Sequence, residues 1–137
     1  PRRPRCRPWA GATGSVYDRQ LVIFAADHRR DVPAAVRRAR AELALRPDVY
    51  GHDALAWALY RAGSLDEAAE QTQAALALGT PDPRIAYHAG MIAAARGDRE
   101  RAEALLRQAL DGAAMLPPLQ VPEARAALAA LEAGDKW

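Results

Sequence analysis

Apolar residues fall at three- and four-residue intervals through most of the chain, and polar residues fill the positions between them, which is the period of a helix packed on one side. This pattern, with its start and stop signals, predicts helices near 16–28, 33–45, 49–62, 66–78, 83–96, 99–111 and 122–133. Asp48 and Asp82 stand where N-caps belong, with Pro83 just inside the second of these helices. Ser64 and Glu67 have the spacing of a capping box, and Asp98 is placed to cap the helix after Gly97. Gly63 and Gly97 close their helices where a left-handed residue is often needed.

The pattern repeats. The run Leu55-Ala56-Trp57-Ala58-Leu59-Tyr60-Arg61-Ala62-Gly63 is answered by Ala89-Gly90-Met91-Ile92-Ala93-Ala94-Ala95-Arg96-Gly97, about 34 residues later. At the same offset Ala68 matches Ala102, Ala75 matches Ala109, Leu76 matches Leu110 and Pro47 matches Pro81. A further step back brings Ala34 and Ala41 into register, so three units share one frame.

A helical hairpin cannot bury its apolar face alone, which is why such units stack. Small residues are expected where paired helices cross: Ala56 or Gly90 on the first, Ala68 or Ala102 on the second. Larger groups there would hold the axes beyond the usual 8–10 Å. Leu55, Leu59, Leu76, Leu105 and Leu110 are the expected fillers between layers. The helix from Pro122, apolar on one side and ending at Gly134, would cover the last open face.

On these residues the chain resembles the tetratricopeptide repeat family over about 16–115. The runs Asp53-Ala54-Leu55-Ala56-Trp57-Ala58-Leu59 and His88-Ala89-Gly90-Met91 look like those of the C-terminal repeats of longer bacterial members. The resemblance implies an all-α, right-handed superhelical solenoid of three helical hairpins (about 16–47, 49–81 and 83–115) with a capping helix at 122–133, and residues 1–15 as an Arg/Pro-rich tail or linker. It departs from the family pattern at His52, where Trp is usual, at Arg29 in place of the turn Gly, and at Thr72 in place of a large apolar residue.

In such arrays the first helices line a concave groove in which peptides commonly lie. The shared register places Tyr50, Asp53, Trp57, Tyr60 and Arg61 on that side, followed by Arg84, Tyr87, His88 and Met91, with Arg19, Ile23 and Asp27 from the first unit. Tyr, Trp and Arg dominate interface hot spots, and Met is an adaptable contact. Aromatics along one helix face serve equally well as packing, and both uses stand open for this cluster. Trp57→Ala and Tyr87→Ala are expected to weaken partner binding with helicity intact if the cluster is a groove. Some relatives clamp a terminal carboxylate with Lys and Asn; here those places hold Arg19, Ile23, Ala54, Arg84 and His88, which argues against that activity. Arg84 with Arg19 would suit an acidic segment.

Composition adds little chemistry. Half of the 137 residues are apolar, aromatics are 6%, and Ala supplies about a quarter, so close helix approach must build the core. His28, His52 and His88 lack metal-ligand spacing, and Ser15, Ser64 and Cys6 lack a base in sequence context; neither a metal, a cofactor nor catalysis is expected. No apolar run suits a membrane span. Cytoplasm is the default location, and a signal upstream of Pro1 would have been lost. Residues 1–20 carry Arg2, Arg3, Arg5, Arg7 and Arg19 against Asp18; the remaining 14 basic and 16 acidic residues leave a body at −2.

The sequence therefore points to a scaffold or adaptor that binds a segment of a partner protein. Two other readings stand beside it: a structural segment of a longer array, which would self-associate when isolated, and nucleic-acid binding through the Arg-rich tail, which would vanish on deleting 1–15.

Overall fold

A computed structural model describes residues 16–134; the Arg-rich tail and Cys6 lie outside them. The described chain is all-α, with no strand among the described residues. Its helices are α1 (Val16–Asp27), α2 (Val32–Leu45), α3 (Val49–Arg61), α4 (Leu65–Leu76), α5 (Pro83–Ala95), α6 (Arg99–Asp111) and α7 (Gln120–Glu132), with a 3₁₀ turn at Ala113–Met115. Consecutive helices pack as pairs: α1 with α2, α3 with α4, α5 with α6. The first helix of each pair also touches the first helix of the next, and α7 closes against α5 and α6.

Three turns of the same construction join the paired helices. The amides of Gly63 and Ser64 return to the carbonyls of Tyr60 and Leu59 at 3.1 and 2.9 Å, and those of Gly97 and Asp98 return to Ala94 and Ala93 at 3.0 Å each. Arg29 and Arg30 do the same to Ala26 and Ala25, at 3.2 and 2.8 Å. This double return satisfies helix-end carbonyls and requires a left-handed residue. Gly63 and Gly97 have φ of 83° and 81°, and Arg29 adopts φ 50° although it carries a side chain. The hydrogen bonds impose the conformation, and Arg29 adopts it at a steric cost of about 1–2 kcal/mol.

The expected caps form at three places. Asp48 accepts from the Gly51 amide at 2.9 Å, Asp82 from Arg84 at 2.9 Å and Asp98 from Arg101 at 3.4 Å. The capping box does not form: the Ser64 side chain makes no cap bond, and Glu67 instead pairs with Arg40 of α2. The Ser64 amide that Glu67 would have accepted from is already returned to the Leu59 carbonyl by the turn. The closing helix begins at Gln120 rather than 122, which places Pro122 in a first turn whose amides have no intrahelical partner to lose.

Small residues set the helix approach as expected. Ala56, Gly90, Ala68 and Ala102 are all buried. A Cβ on Gly90 would lie 2.8 Å from Leu106 Cγ and 3.2 Å from the Leu106 amide nitrogen, so α6 leans on the bare backbone of α5. Two apolar clusters result. One, from α1 to α4, holds Val22, Leu55 and Leu59 and reaches Ile92 of α5; the other holds Trp57, Tyr87, Leu106 and Leu131. Thr72, where a large apolar residue was expected, is buried with its hydroxyl donating to the Ala68 carbonyl at 2.9 Å.

Candidate functional site

Because α1, α3 and α5 lie side by side, their outward residues bound a shared groove of about 500 Å3. Arg19, Ile23, Phe24 and Asp27 come from α1, and Tyr50, Asp53 and Ala54 from α3. Asp82, the N-cap of α5, joins Arg84, Ile85 and His88 on the third side. Ile23, Ala54 and Ile85 give an apolar floor, and two aromatic rings stand out from it: Phe24 is 51% exposed and Tyr50 44%.

The nine residues that the sequence assigns to the groove from the second and third units divide into two sets. Tyr50, Asp53, Arg84 and His88 line it. Trp57, Tyr87 and Met91 are buried at 1%, 0% and 8% exposure, and they belong to the interior cluster that α7 helps to cover. Tyr60 stacks on Trp57 with centroids 4.9 Å apart, and the Arg61 guanidinium lies 4.8 Å from the Trp57 ring centroid. None of these five is among the groove residues. The expectation that Trp57→Ala and Tyr87→Ala spare the fold therefore needs correction, since both rings are core. Of the first-unit residues, Arg19, Ile23 and Asp27 all line the groove, and sequence reasoning missed Phe24. Its neighbour Ile23 had already filled the register position, and no local signal distinguishes the two.

The buried rings nonetheless shape the groove. Trp57 Nε1 donates to Asp27 Oδ1 at 2.8 Å and fixes that carboxylate from below. The Trp57 ring stacks on His88, with centroids 4.2 Å apart and planes 22° from parallel. His88 Nδ1 lies 2.9 Å from both oxygens of Asp53. An ionised carboxylate has no hydrogen to give, so Nδ1 carries the proton and donates. Tyr87 donates from its hydroxyl to Glu123 Oε2 of α7 at 2.7 Å. Burial first, and then this bond, push the Tyr87 phenol far above its ordinary range. His52 Nδ1 pairs with Gln71 Oε1 at 2.8 Å.

Both groove arginines are already engaged. Arg19 donates from Nε to the buried Glu42 at 2.8 Å, from Nη1 to Asp48, and from Nη2 to the Arg46 carbonyl at 3.3 Å. Burial would lower its pKa, but Glu42 and Asp48 outweigh that and raise it. Arg84 folds back onto Asp82 with a 2.9 Å contact, and that bond raises its pKa. Burial alone would raise the pKa of Asp82; Arg84 and the Tyr50 hydroxyl bring it below the usual value. Both guanidiniums are held by this chain's own carboxylates, Arg19 with its side chain 16% exposed and Arg84 with 53%.

No family model matches the chain, and no curated protein is significantly similar to it. Among the described residues no helix is long and apolar enough to cross a membrane.

Proposed function

We propose that the chain is a right-handed solenoid of three tetratricopeptide-type hairpins closed by α7, and that it acts as a scaffold holding a segment of a partner protein between α1, α3 and α5. The observation that carries this reading is the groove itself. It is concave, bounded by first helices alone, floored by Ile23, Ala54 and Ile85, and edged by the exposed rings of Phe24 and Tyr50. The recurrence of one hydrogen-bonded turn at Arg29, Gly63 and Gly97 supports the repeat assignment. Asp27, Asp53 and Asp82 are each held by an internal donor, so the polar groups are preorganised and little entropy is lost when a ligand docks.

The test is selection of a random peptide library against the full chain and against its Phe24→Ala/Tyr50→Ala variant. Peptides enriched on the first and lost on the second are expected. Equal enrichment on both, or none on either, overturns the reading.

A structural role in a longer array is favoured by one observation. Leu21 is 48% exposed and, with Ala25 and Ala34, lines a hollow of about 120 Å3 on the α1–α2 face, where a preceding hairpin would stack. Concentration-dependent self-association abolished by Leu21→Gln would support it, and a monomer at all concentrations would count against it.

A further inference from the structure

Carboxylates outnumber cations along the groove, Asp27, Asp53 and Asp82 against Arg19 and Arg84, and this points to the ligand chemistry. The groove's two cations are matched by Glu42, Asp48 and Asp82. Among the described residues Asp27 and Asp53 share no ion pair with either arginine: Asp27 accepts from the Trp57 indole and Asp53 from the His88 ring, and the Arg84 charge acts on Asp53 only from a distance. Asp27 uses one oxygen for Trp57, leaving Oδ2 open. His88 is 4% exposed, lines the groove, and its Nε2 has no partner. In the neutral ring with its proton on Nδ1, Nε2 is an acceptor, and a buried polar atom without a partner is costly to leave unmet. Asp27 Oδ2 and His88 Nε2 are thus unmet acceptors, among the described residues, beside an apolar floor and two exposed rings.

We infer that the groove takes an arginine side chain of a partner peptide. Its guanidinium sits among Asp27, Asp53 and His88, and its apolar neighbours rest on Ile23, Ile85 and the rings of Phe24 and Tyr50. Arginine fits better than lysine because its planar fork offers five N–H donors, sheds water more readily, and stacks on aromatic faces. The inference rests on the peptide-binding reading and specifies its ligand.

The experiment uses the full chain and a fluorescein-labelled peptide alternating leucine and arginine, followed by anisotropy. The comparison peptide replaces arginine by citrulline, which has nearly the same shape and no charge. Asp27→Asn reports on the carboxylate, since its amide oxygen still accepts from Trp57; Phe24→Ala/Tyr50→Ala reports on the groove. Saturable binding of the arginine peptide is expected, about tenfold weaker with citrulline or with Asp27→Asn. Equal binding of the two peptides, lost only with Phe24→Ala/Tyr50→Ala, would overturn the arginine assignment and leave the groove reading standing. Binding of neither peptide, or binding indifferent to Phe24→Ala/Tyr50→Ala, would overturn both. Binding that tightens about tenfold when Arg2, Arg3, Arg5 and Arg7 are replaced by Ser would show that the chain's own tail is the occupant, and would overturn the partner assignment.

Discussion

Trp57 Nε1 donates to Asp27 Oδ1 at 2.8 Å, a bond from the interior of α3 to the end of α1. It joins a ring with 1% exposure to a carboxylate that lines the groove, so core packing and surface chemistry share one side chain. Trp57→Ala should cost about 3–5 kcal/mol by leaving a cavity and an unpaired carboxylate. Asp27→Asn, which keeps an acceptor, should cost about 1 kcal/mol or less. Phe24→Ala and Tyr50→Ala, at exposed positions, should each stay within about 1 kcal/mol. Urea unfolding of the four variants checks the division; a Trp57→Ala protein as stable as wild type would contradict it.

Arg29 offers a gain. Its φ of 50° is the one in this series of turns not occupied by glycine. Arg29→Gly removes about 1–2 kcal/mol of left-handed strain, against about 0.5–1 kcal/mol of added chain entropy in the unfolded state. The net should be stabilising by up to about 1 kcal/mol and visible as a higher Tm. Gly63→Ala and Gly97→Ala should lower Tm for the same reason, since neither site crowds a Cβ and only the backbone objects.

At Gly90 the opposing effects are helix propensity and space. Alanine would favour α5 by about 0.5–1 kcal/mol. Its Cβ would meet Leu106 at 2.8 Å, where the neighbouring atoms include the backbone of α6, and overpacking of this kind costs about 1–3 kcal/mol. Gly90→Ala should therefore destabilise. A double-mutant cycle with Leu106→Ala should show coupling, because removing the Leu106 side chain relieves most of the conflict.

Stability should decline at both ends of the pH scale, through different groups. Burial would raise the pKa of Asp48, but the Gly51 amide and Arg19 hold it below its ordinary 3.8. Asp82 is likewise depressed. A depressed carboxylate contributes stability that is full above the unfolded value and lost as pH falls through the folded one. Thermal melts should accordingly fall steeply below about pH 4, and less so in Asp48→Asn/Asp82→Asn. Tyr87 acts at the other end: its raised phenol contributes stability below its ordinary 10.0 that is lost above it. Tyr87→Phe should be less stable near neutrality and flatter in the alkaline limb.

The site was only partly legible in the sequence. A 34-residue register names one face of α3 and α5, and four of the residues on it, Tyr50, Asp53, Arg84 and His88, line one groove. It cannot say how far along that face the neighbouring helices reach. In the lower turns, α7 covers α5 and Tyr87 bonds Glu123, so residues with groove spacing become core. The engagement of Arg19 by Glu42 and Asp48 was equally hidden, since those partners lie 23 and 29 residues away.

What the sequence determined by itself was local and periodic: seven helices, caps at Asp48, Asp82 and Asp98, and left-handed turns at Gly63 and Gly97. These depend on backbone preferences and on neighbours three or four residues apart, so they are written in short segments. Tertiary structure decided everything that depends on which surfaces meet. It paired Glu67 with Arg40 of another helix, made Trp57 and Tyr87 interior, and exposed Phe24. It also tied Arg19 to Glu42 and Asp48, because pairing between charges distant in sequence is settled only when the helices pack.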